Sequence, residues 1–140
     1  MVPIANVNYL AVLAAAIASM VLGFLWFGPL FGKQWTGLMG FDKKKMEEAK
    51  KKGMPPQTWI IMIVSSVVTA FVLAHFVKYV NAATVMDALQ LGFWTWLGFF
   101  AAVMIGMVLW EGKPWKLYFL VVAYHLVNLL MMASILTLWP

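Results

Sequence analysis

Residues 115–138 read WKLYFLVVAYHLVNLLMMASILTL, and this stretch decides the fold class. It carries one charged side chain, Lys116, and as a helix it is long enough to cross a hydrocarbon core of about 30 Å. Three similar apolar stretches precede it, at residues 8–31, 59–80 and 87–109. Open strands would leave backbone groups without hydrogen-bond partners in lipid. The sequence therefore predicts an all-α membrane protein with a four-transmembrane-helix bundle.

The composition of the whole chain agrees with this fold class. Of the 140 residues, 64% are apolar and only 11% are charged, which is too few to cover a soluble domain. A chain of this length is expected to form a single domain, residues 1–140. The sequence has no cysteine, which excludes disulfides, thiolate metal sites and cysteine nucleophiles. The first apolar stretch lacks the basic start and short core of a signal peptide, so we expect a retained span.

The lysines predict the direction in which the spans run. Nine of the ten lysines lie within or beside the first and third connections, and only Lys78 lies near the opposite side. Positive charge favours the cytoplasmic side of a membrane. We therefore expect both termini outside, both charged connections in the cytoplasm, and a multi-pass location in the cell membrane (plasma or inner membrane).

The first connection also predicts a short cytoplasmic helix at about residues 42–52. Asp42 is a suitable N-cap, and Gly53 is a suitable stop. Arginine is absent from the chain, so forked recognition of nucleic-acid phosphates or bases lacks its usual residue. Membrane lipid is therefore the expected partner of this basic segment, and nucleic acid is not.

The run WFGPLFGKQW, residues 26–35, marks the cytoplasmic end of the first span. Pro29, preceded by Gly28, removes a backbone donor and ends or kinks the helix. Trp26 and Trp35 are expected to anchor this end at the membrane interface. A second interpretation makes the Gly28–Pro29 pair a hinge for a moving helix end.

The best candidate for a polar site near the membrane midplane is His125, with Asn128 one turn further on the same face. The imidazole is suited to carry protons or to contact a polar ligand. In the alternative interpretation, His125 only joins helices through a hydrogen bond to a hydroxyl at similar depth. The hydroxyl candidates are Ser19, Ser66, Thr69 and Thr95.

Two further ionisable residues are secondary candidates. His75 lies near the outer end of the second span. Asp87 starts the third span, where Thr84 and Asp87 match a capping box, so a structural role is sufficient for it. The histidines and methionines form no tight ligand cluster, and methionine at helical spacing usually serves packing. No metal and no cofactor is predicted.

Aromatic and glycine-rich motifs in three parts of the chain resemble one known membrane family. These motifs are Gly23, Trp26-Phe27, Pro29, Phe31 and Gly32-Lys33-x-Trp35; Phe93-x-x-Trp96-Leu97-Gly98-Phe99; and Trp110-Glu111-Gly112-Lys113-Pro114, leading to a fourth span that ends near Trp139. Together they resemble the family catalogued as domain of unknown function 1761. The resemblance implies a multi-span membrane protein and supplies no catalytic residues.

Small residues recur every four positions along three of the spans. They are Ala11, Ala15, Ser19 and Gly23; Ser66, Ala70 and Ala74; and Gly98, Ala102 and Gly106. Such rows let helix backbones approach closely in lipid. Three rows exceed what one small bundle needs, so at least one row is expected to face another copy in a homo-oligomer.

These features favour a small homo-oligomeric binding, transport or channel-like protein with a polar midplane site around His125. The alternative is a structural or accessory membrane protein that organises lipid or a partner. An intramembrane enzyme is the least favoured class, because the chain has no acid pair and Ser134 lies on a different helix face from His125. Small multidrug exporters are excluded, because they need an acidic residue in the first span and residues 8–31 contain none.

Overall fold

The structure is a computed structural model that describes residues 6–40, 43–53 and 55–140, and within these ranges every regular element is a helix. Four helical segments are long and apolar enough to cross a membrane: the first span Tyr9–Leu30, the second span Pro56–Tyr79, the third span Val85–Leu109 and the fourth span Trp115–Leu138. Their lipid-facing sides carry many exposed large apolar side chains. The second span begins earlier than predicted, because a proline is well tolerated in the first turn of a helix.

Two shorter helices lie between the first and second spans. The first, Gly32–Met39, ends at Gly40, whose φ of 79° is left-handed and ends the helix. The second is the lysine-rich helix Lys43–Lys52, followed by Gly53 with φ 65°. The predicted N-cap of this helix, Asp42, lies outside the described residues.

Two of the spans contain a π-helical turn. The first span is a regular α-helix over Tyr9–Leu25 and then forms the first π-turn, Trp26–Leu30, which is kinked at Gly28 and closed by the Phe31 N–H donating to the Trp26 carbonyl oxygen at 2.9 Å. The third span is regular over Val85–Trp96 and then forms the second π-turn, Leu97–Ala101; the short helices Ala102–Met104 and Gly106–Leu109 complete it. A π-turn inserts an extra residue and often marks a functional position.

The capping predicted for the third span is confirmed. The backbone N–H groups of Ala83 and Thr84 donate to one carboxylate oxygen of Asp87 at 3.0 and 3.1 Å. The Asp87 N–H in turn donates to the Thr84 hydroxyl at 3.2 Å. Asp87 therefore satisfies backbone donors that the start of the helix would otherwise leave unpaired.

The spans pack as a compact group of three with a fourth added at one side. The first, second and fourth spans contact one another along their lengths, whereas the third span packs extensively only on the fourth. Small side chains make the close contacts of the group of three, and Ala15, Ala70 and Ala133 are completely buried. Helix association in lipid relies on such packing, because lipid tails are as apolar as the helix surfaces.

The three small-residue rows have different surroundings. The rows of the first and second spans lie mainly in the core, where Ala11, Ala70 and Ala74 are buried. In the row of the third span, Gly98 has no atom close to the position of a Cβ, and Ala102 is exposed. Among the described residues, the row of the third span is thus left uncovered at Gly98 and Ala102.

Candidate functional site

The centre of the candidate site is the pair Tyr124 and His125 on the fourth span, which lies between the two π-turns. Phe27 of the first π-turn packs edge-on against Tyr124, with ring centroids 5.1 Å apart. Phe100 of the second π-turn packs against His125 at 4.8 Å. The Tyr124 and His125 rings are themselves 5.0 Å apart. Four rings therefore form a continuous row across the bundle.

Two tryptophans join these π-turns to the fourth span. Trp26 begins the first π-turn, and its indole N–H donates to the Leu120 carbonyl oxygen at 3.2 Å. Trp96 lies directly before the second π-turn, and its indole N–H donates to the Val122 carbonyl oxygen at 2.7 Å. A buried indole N–H generally requires a partner, and both find one on the same helix.

The backbone at each π-turn departs from a regular α-helix. Gly28 has φ −112° and ψ −105°, which is outside the helical region, and Pro29 follows it without an N–H to donate. At the second π-turn, the carbonyl oxygen of Ala101 accepts a hydrogen bond from the Tyr118 hydroxyl. The fourth span thus supplies partners for both irregular turns.

Tyr124 is also held by the first span. Its hydroxyl lies close enough to the Ser19 side chain to interact with it. The same oxygen lies 3.2 Å from the position that a Cβ on Gly23 would occupy. Ser19 and Gly23 therefore both lie next to the Tyr124 hydroxyl. A larger residue at position 23 would require this hydroxyl to shift.

Asn128 is the most unusual polar residue of the site. Its side chain is buried, with 7% exposed, and its Oδ1 atom has no hydrogen-bond partner within the described residues. A buried amide oxygen without a partner costs roughly 1–3 kcal/mol by comparison with mutational data. Asn128 lies one helical turn beyond Tyr124, so its orphan oxygen belongs to the same polar segment of the fourth span.

The polar residues predicted for the midplane separate into three groups. Ser19 contacts Tyr124, as described above. Thr69 and Thr95 instead line an open crevice between the second and third spans. His125 contacts aromatic rings, and the alternative in which it bonds a neighbouring hydroxyl is not found in the described part of the chain.

The crevice exists because the second and third spans do not pack along each other. Its volume is about 330 Å³, and its lining is almost entirely apolar. The second span contributes Val68, Thr69, Val72, Leu73 and Phe76, the third span Thr95, Phe99 and Phe100, and the fourth span Leu129. Phe100 is the residue shared by the crevice and the aromatic row, so it connects the crevice to His125.

The two threonines differ in their hydrogen bonding. The Thr69 hydroxyl donates to the Ser65 carbonyl oxygen of its own helix at 2.9 Å, so its oxygen remains able to accept. For Thr95, the residues that the structure describes provide no hydrogen bond. The two walls of the largely apolar crevice therefore offer different groups. Thr69 offers a hydroxyl oxygen that can accept, and Thr95 offers a hydroxyl that can both donate and accept.

The secondary candidates lie apart from this centre. The Nδ1 atom of His75 donates to the Phe71 carbonyl oxygen at 2.8 Å, and its ring lies between those of Phe71 and Tyr79. This is a local arrangement on the second span. Asp87 serves the cap of the third span.

Sequence reasoning selected Trp26, Gly28, Pro29 and Trp35 as an interfacial anchor or a hinge. In the structure Trp26 makes an interhelical hydrogen bond, and Trp35 packs on Phe27 with centroids 5.3 Å apart; the anchor and the hinge stay predictions. The roles of Phe27, Tyr124, Phe100 and Trp96 were missed. The available signal was the shared pattern of a tryptophan followed two positions later by a glycine, in the first and third spans.

Comparison with known proteins adds one finding to this geometry. Residues 10–137 match the family described as protein of unknown function (DUF1761). The chain belongs to this family. No curated protein and no solved structure matches it. The resemblance carried by the aromatic motifs is thus confirmed, and in this DUF1761 protein the matched region contains the whole candidate site from Ser19 to Asn128.

Proposed function

We propose that this DUF1761 protein is a multi-pass membrane protein that binds a small, mainly apolar ligand bearing a hydrogen-bonding group. The ligand enters sideways from the lipid, into the crevice between the second and third spans. The observation that carries this proposal is the crevice itself, at about 330 Å³ with one threonine on each wall. Ligand sites in proteins are typically apolar spaces of this size with a few polar groups.

The neighbouring aromatic row supports a binding role. A ligand in the crevice contacts Phe100, whose ring packs on His125. The row continues through Tyr124 to Phe27 in the first π-turn. A ligand in the crevice can therefore affect the polar segment of the fourth span through Phe100, which packs on His125. In that segment, His125 and Asn128 form the proposed midplane site for binding or transport.

The orientation and assembly of the protein form part of the same proposal. The lysine distribution supports termini outside and a cell membrane location. The third span supports a homo-oligomer: it is the least buried of the four, and its row of Gly98 and Ala102 is uncovered. A second copy placed on this row would cover it.

The binding proposal is tested with two photoreactive probes in the full-length protein in lipid nanodiscs. One probe is a medium-chain alcohol carrying a diazirine, and the other is the matching hydrocarbon without the hydroxyl. We expect the alcohol to label the crevice walls more strongly than the hydrocarbon. The double variant Thr69→Val and Thr95→Val should remove this preference, because valine keeps the shape and lacks the hydroxyl.

Thr36 provides the matched control for this experiment. Its hydroxyl donates to the Gly32 carbonyl oxygen at 2.9 Å on its own helix, away from the crevice. Thr36→Val should therefore leave the preference for the alcohol unchanged. Equal labelling by the two probes in the unaltered protein, or labelling spread over all lipid-facing sides, would contradict the proposal and favour the structural or accessory role.

A further inference from the structure

The lysine-rich helix Lys43–Lys52 connects the first and second spans without extensive packing on the other described helices. Its described side chains are all exposed, and it packs extensively on no other helix among the described residues. It is nevertheless tied to the membrane at both sides. The helix Gly32–Met39 follows the first span and ends shortly before it, and the second span begins at Pro56 shortly after it. The helix is therefore held near the start of the second span, which begins four positions after Lys52.

The charges of this helix are divided between its faces. At 3.6 residues per turn, Glu47 and Glu48 lie on one face, and Lys44 and Lys51 project between them. This face is therefore neutral. Four lysines flank the opposite face, with Lys43 and Lys50 along one edge and Lys45 and Lys52 along the other. Ala49 lies on that opposite face, between the two edges of lysines.

We propose that the face bounded by Lys43, Lys45, Lys50 and Lys52 binds the headgroups of anionic phospholipids in the membrane that the spans cross. Lysine ammonium groups on flexible stems suit headgroups that can rearrange around them, since they act as point charges. Each lysine close to an anionic surface contributes favourably to binding. The neutral face carrying Glu47 and Glu48 then points towards water. This inference is independent of the crevice and its ligand.

Nucleic acid is the competing polyanion. Sequence readout by nucleic-acid-binding proteins commonly uses bidentate arginine, which this chain lacks. This helix is also connected to a span on either side, so the phosphate groups of the lipid headgroups are close to it. These two features favour lipid.

The experiment uses the full-length protein with the substitution Ala49→Cys. The chain has no other cysteine, so a fluorescent bimane labels this position alone. The protein is placed in vesicles of phosphatidylcholine alone or of phosphatidylcholine with phosphatidylglycerol. Neutral acrylamide then measures how far the probe is open to water. We expect phosphatidylglycerol to protect the probe, and high salt to reverse the protection, because salt screens exposed charges.

Two double variants with equal changes in charge separate the faces. Lys43→Gln with Lys50→Gln should lower the ratio of surface-bound to free helix about thirtyfold, since two lysines are lost from the lipid-binding face. Lys44→Gln with Lys51→Gln should change it by much less, because these lysines project between the glutamates. Both pairs are seven residues apart on an exposed helix, so neither substitution disturbs the bundle.

Equal effects of the two pairs, or protection that does not depend on phosphatidylglycerol, would overturn the inference. Displacement of the helix from phosphatidylglycerol vesicles by a small excess of a single-stranded oligonucleotide would also overturn it and would favour nucleic acid. Protection that is lost with Lys43→Gln and Lys50→Gln alone, and that resists the oligonucleotide, supports the assignment.

Discussion

Gly92 on the third span offers the sharpest test of the packing. A Cβ added there would lie 3.0 Å from Leu130 Cδ2 and 3.2 Å from both the Leu129 carbonyl oxygen and the Leu130 Cα atom. Two of these three neighbours are backbone atoms, which cannot rotate away. Gly92→Ala must therefore push the third span from the fourth, on which it packs most extensively among the described residues.

The magnitude follows from comparison with Gly98 on the same span, where a Cβ would meet no atom within 4 Å. Replacing a glycine by alanine within a helix favours the helix by up to about 1 kcal/mol, and both variants share this gain. Only Gly92→Ala adds the cost of overpacking, about 1–3 kcal/mol. We therefore expect Gly92→Ala to be less stable than Gly98→Ala by about 1–3 kcal/mol in free energy of unfolding.

The assay is reversible unfolding in mixed micelles with increasing dodecyl sulfate, followed by tryptophan fluorescence. Both variants are measured as monomers in the same lipid-like detergent, so the difference between them removes effects of the medium and of any contact between copies at Gly98. A Gly92→Ala protein as stable as Gly98→Ala, or more stable, would refute the close contact between the third and fourth spans. That outcome would also remove the basis for an open crevice beside the third span.

Three further outcomes follow from individual contacts. Trp96→Phe should lower the free energy of unfolding by about 1–2 kcal/mol in the same assay, because it removes the indole bond to the Val122 carbonyl; Trp94→Phe, at an indole that is 65% exposed, is the control and should change little. Asn128→Leu should raise stability, because it removes a buried oxygen that has no partner, and a stability loss would mean that Asn128 is paired in the membrane. Asp87→Ala should cost about 0.5–2 kcal/mol through loss of the cap and should increase backbone hydrogen exchange at the start of the third span.

The sequence predicted those parts of the fold that depend on local composition. Long apolar stretches identify the four spans, because lipid demands helices of a minimum length. The capping box at Asp87 is likewise readable, since its partners lie within four residues. The rows of small residues on the first and second spans also lie in the core, as close packing in lipid requires.

The candidate site was less predictable, because its geometry depends on contacts between distant parts of the chain. In the sequence, Tyr124 is one of many aromatic residues in the apolar spans. The structure distinguishes it, because its hydroxyl lies next to Ser19 and Gly23 of the first span. The second π-turn contains no proline, so the sequence gives no local signal of an irregular helix there. Depth along a helix placed Thr69 beside His125, whereas the structure separates them, since depth does not specify which face of a span meets which neighbour.

The two π-turns suggest how the site is organised as a unit. The first begins at Trp26 and the second directly follows Trp96; both tryptophans donate to the fourth span, and each turn contains a phenylalanine that packs on Tyr124 or His125. They differ in what comes next. Pro29 ends the first span, whereas the third span continues to Leu109 with few contacts beyond the fourth span. The fourth span is thus the common packing partner, and among the described residues of the third span the part beyond Ala101 packs on it less than Val85–Trp96 does. In the proposed function, a ligand beside Phe100 would contact the third span directly before this less packed part.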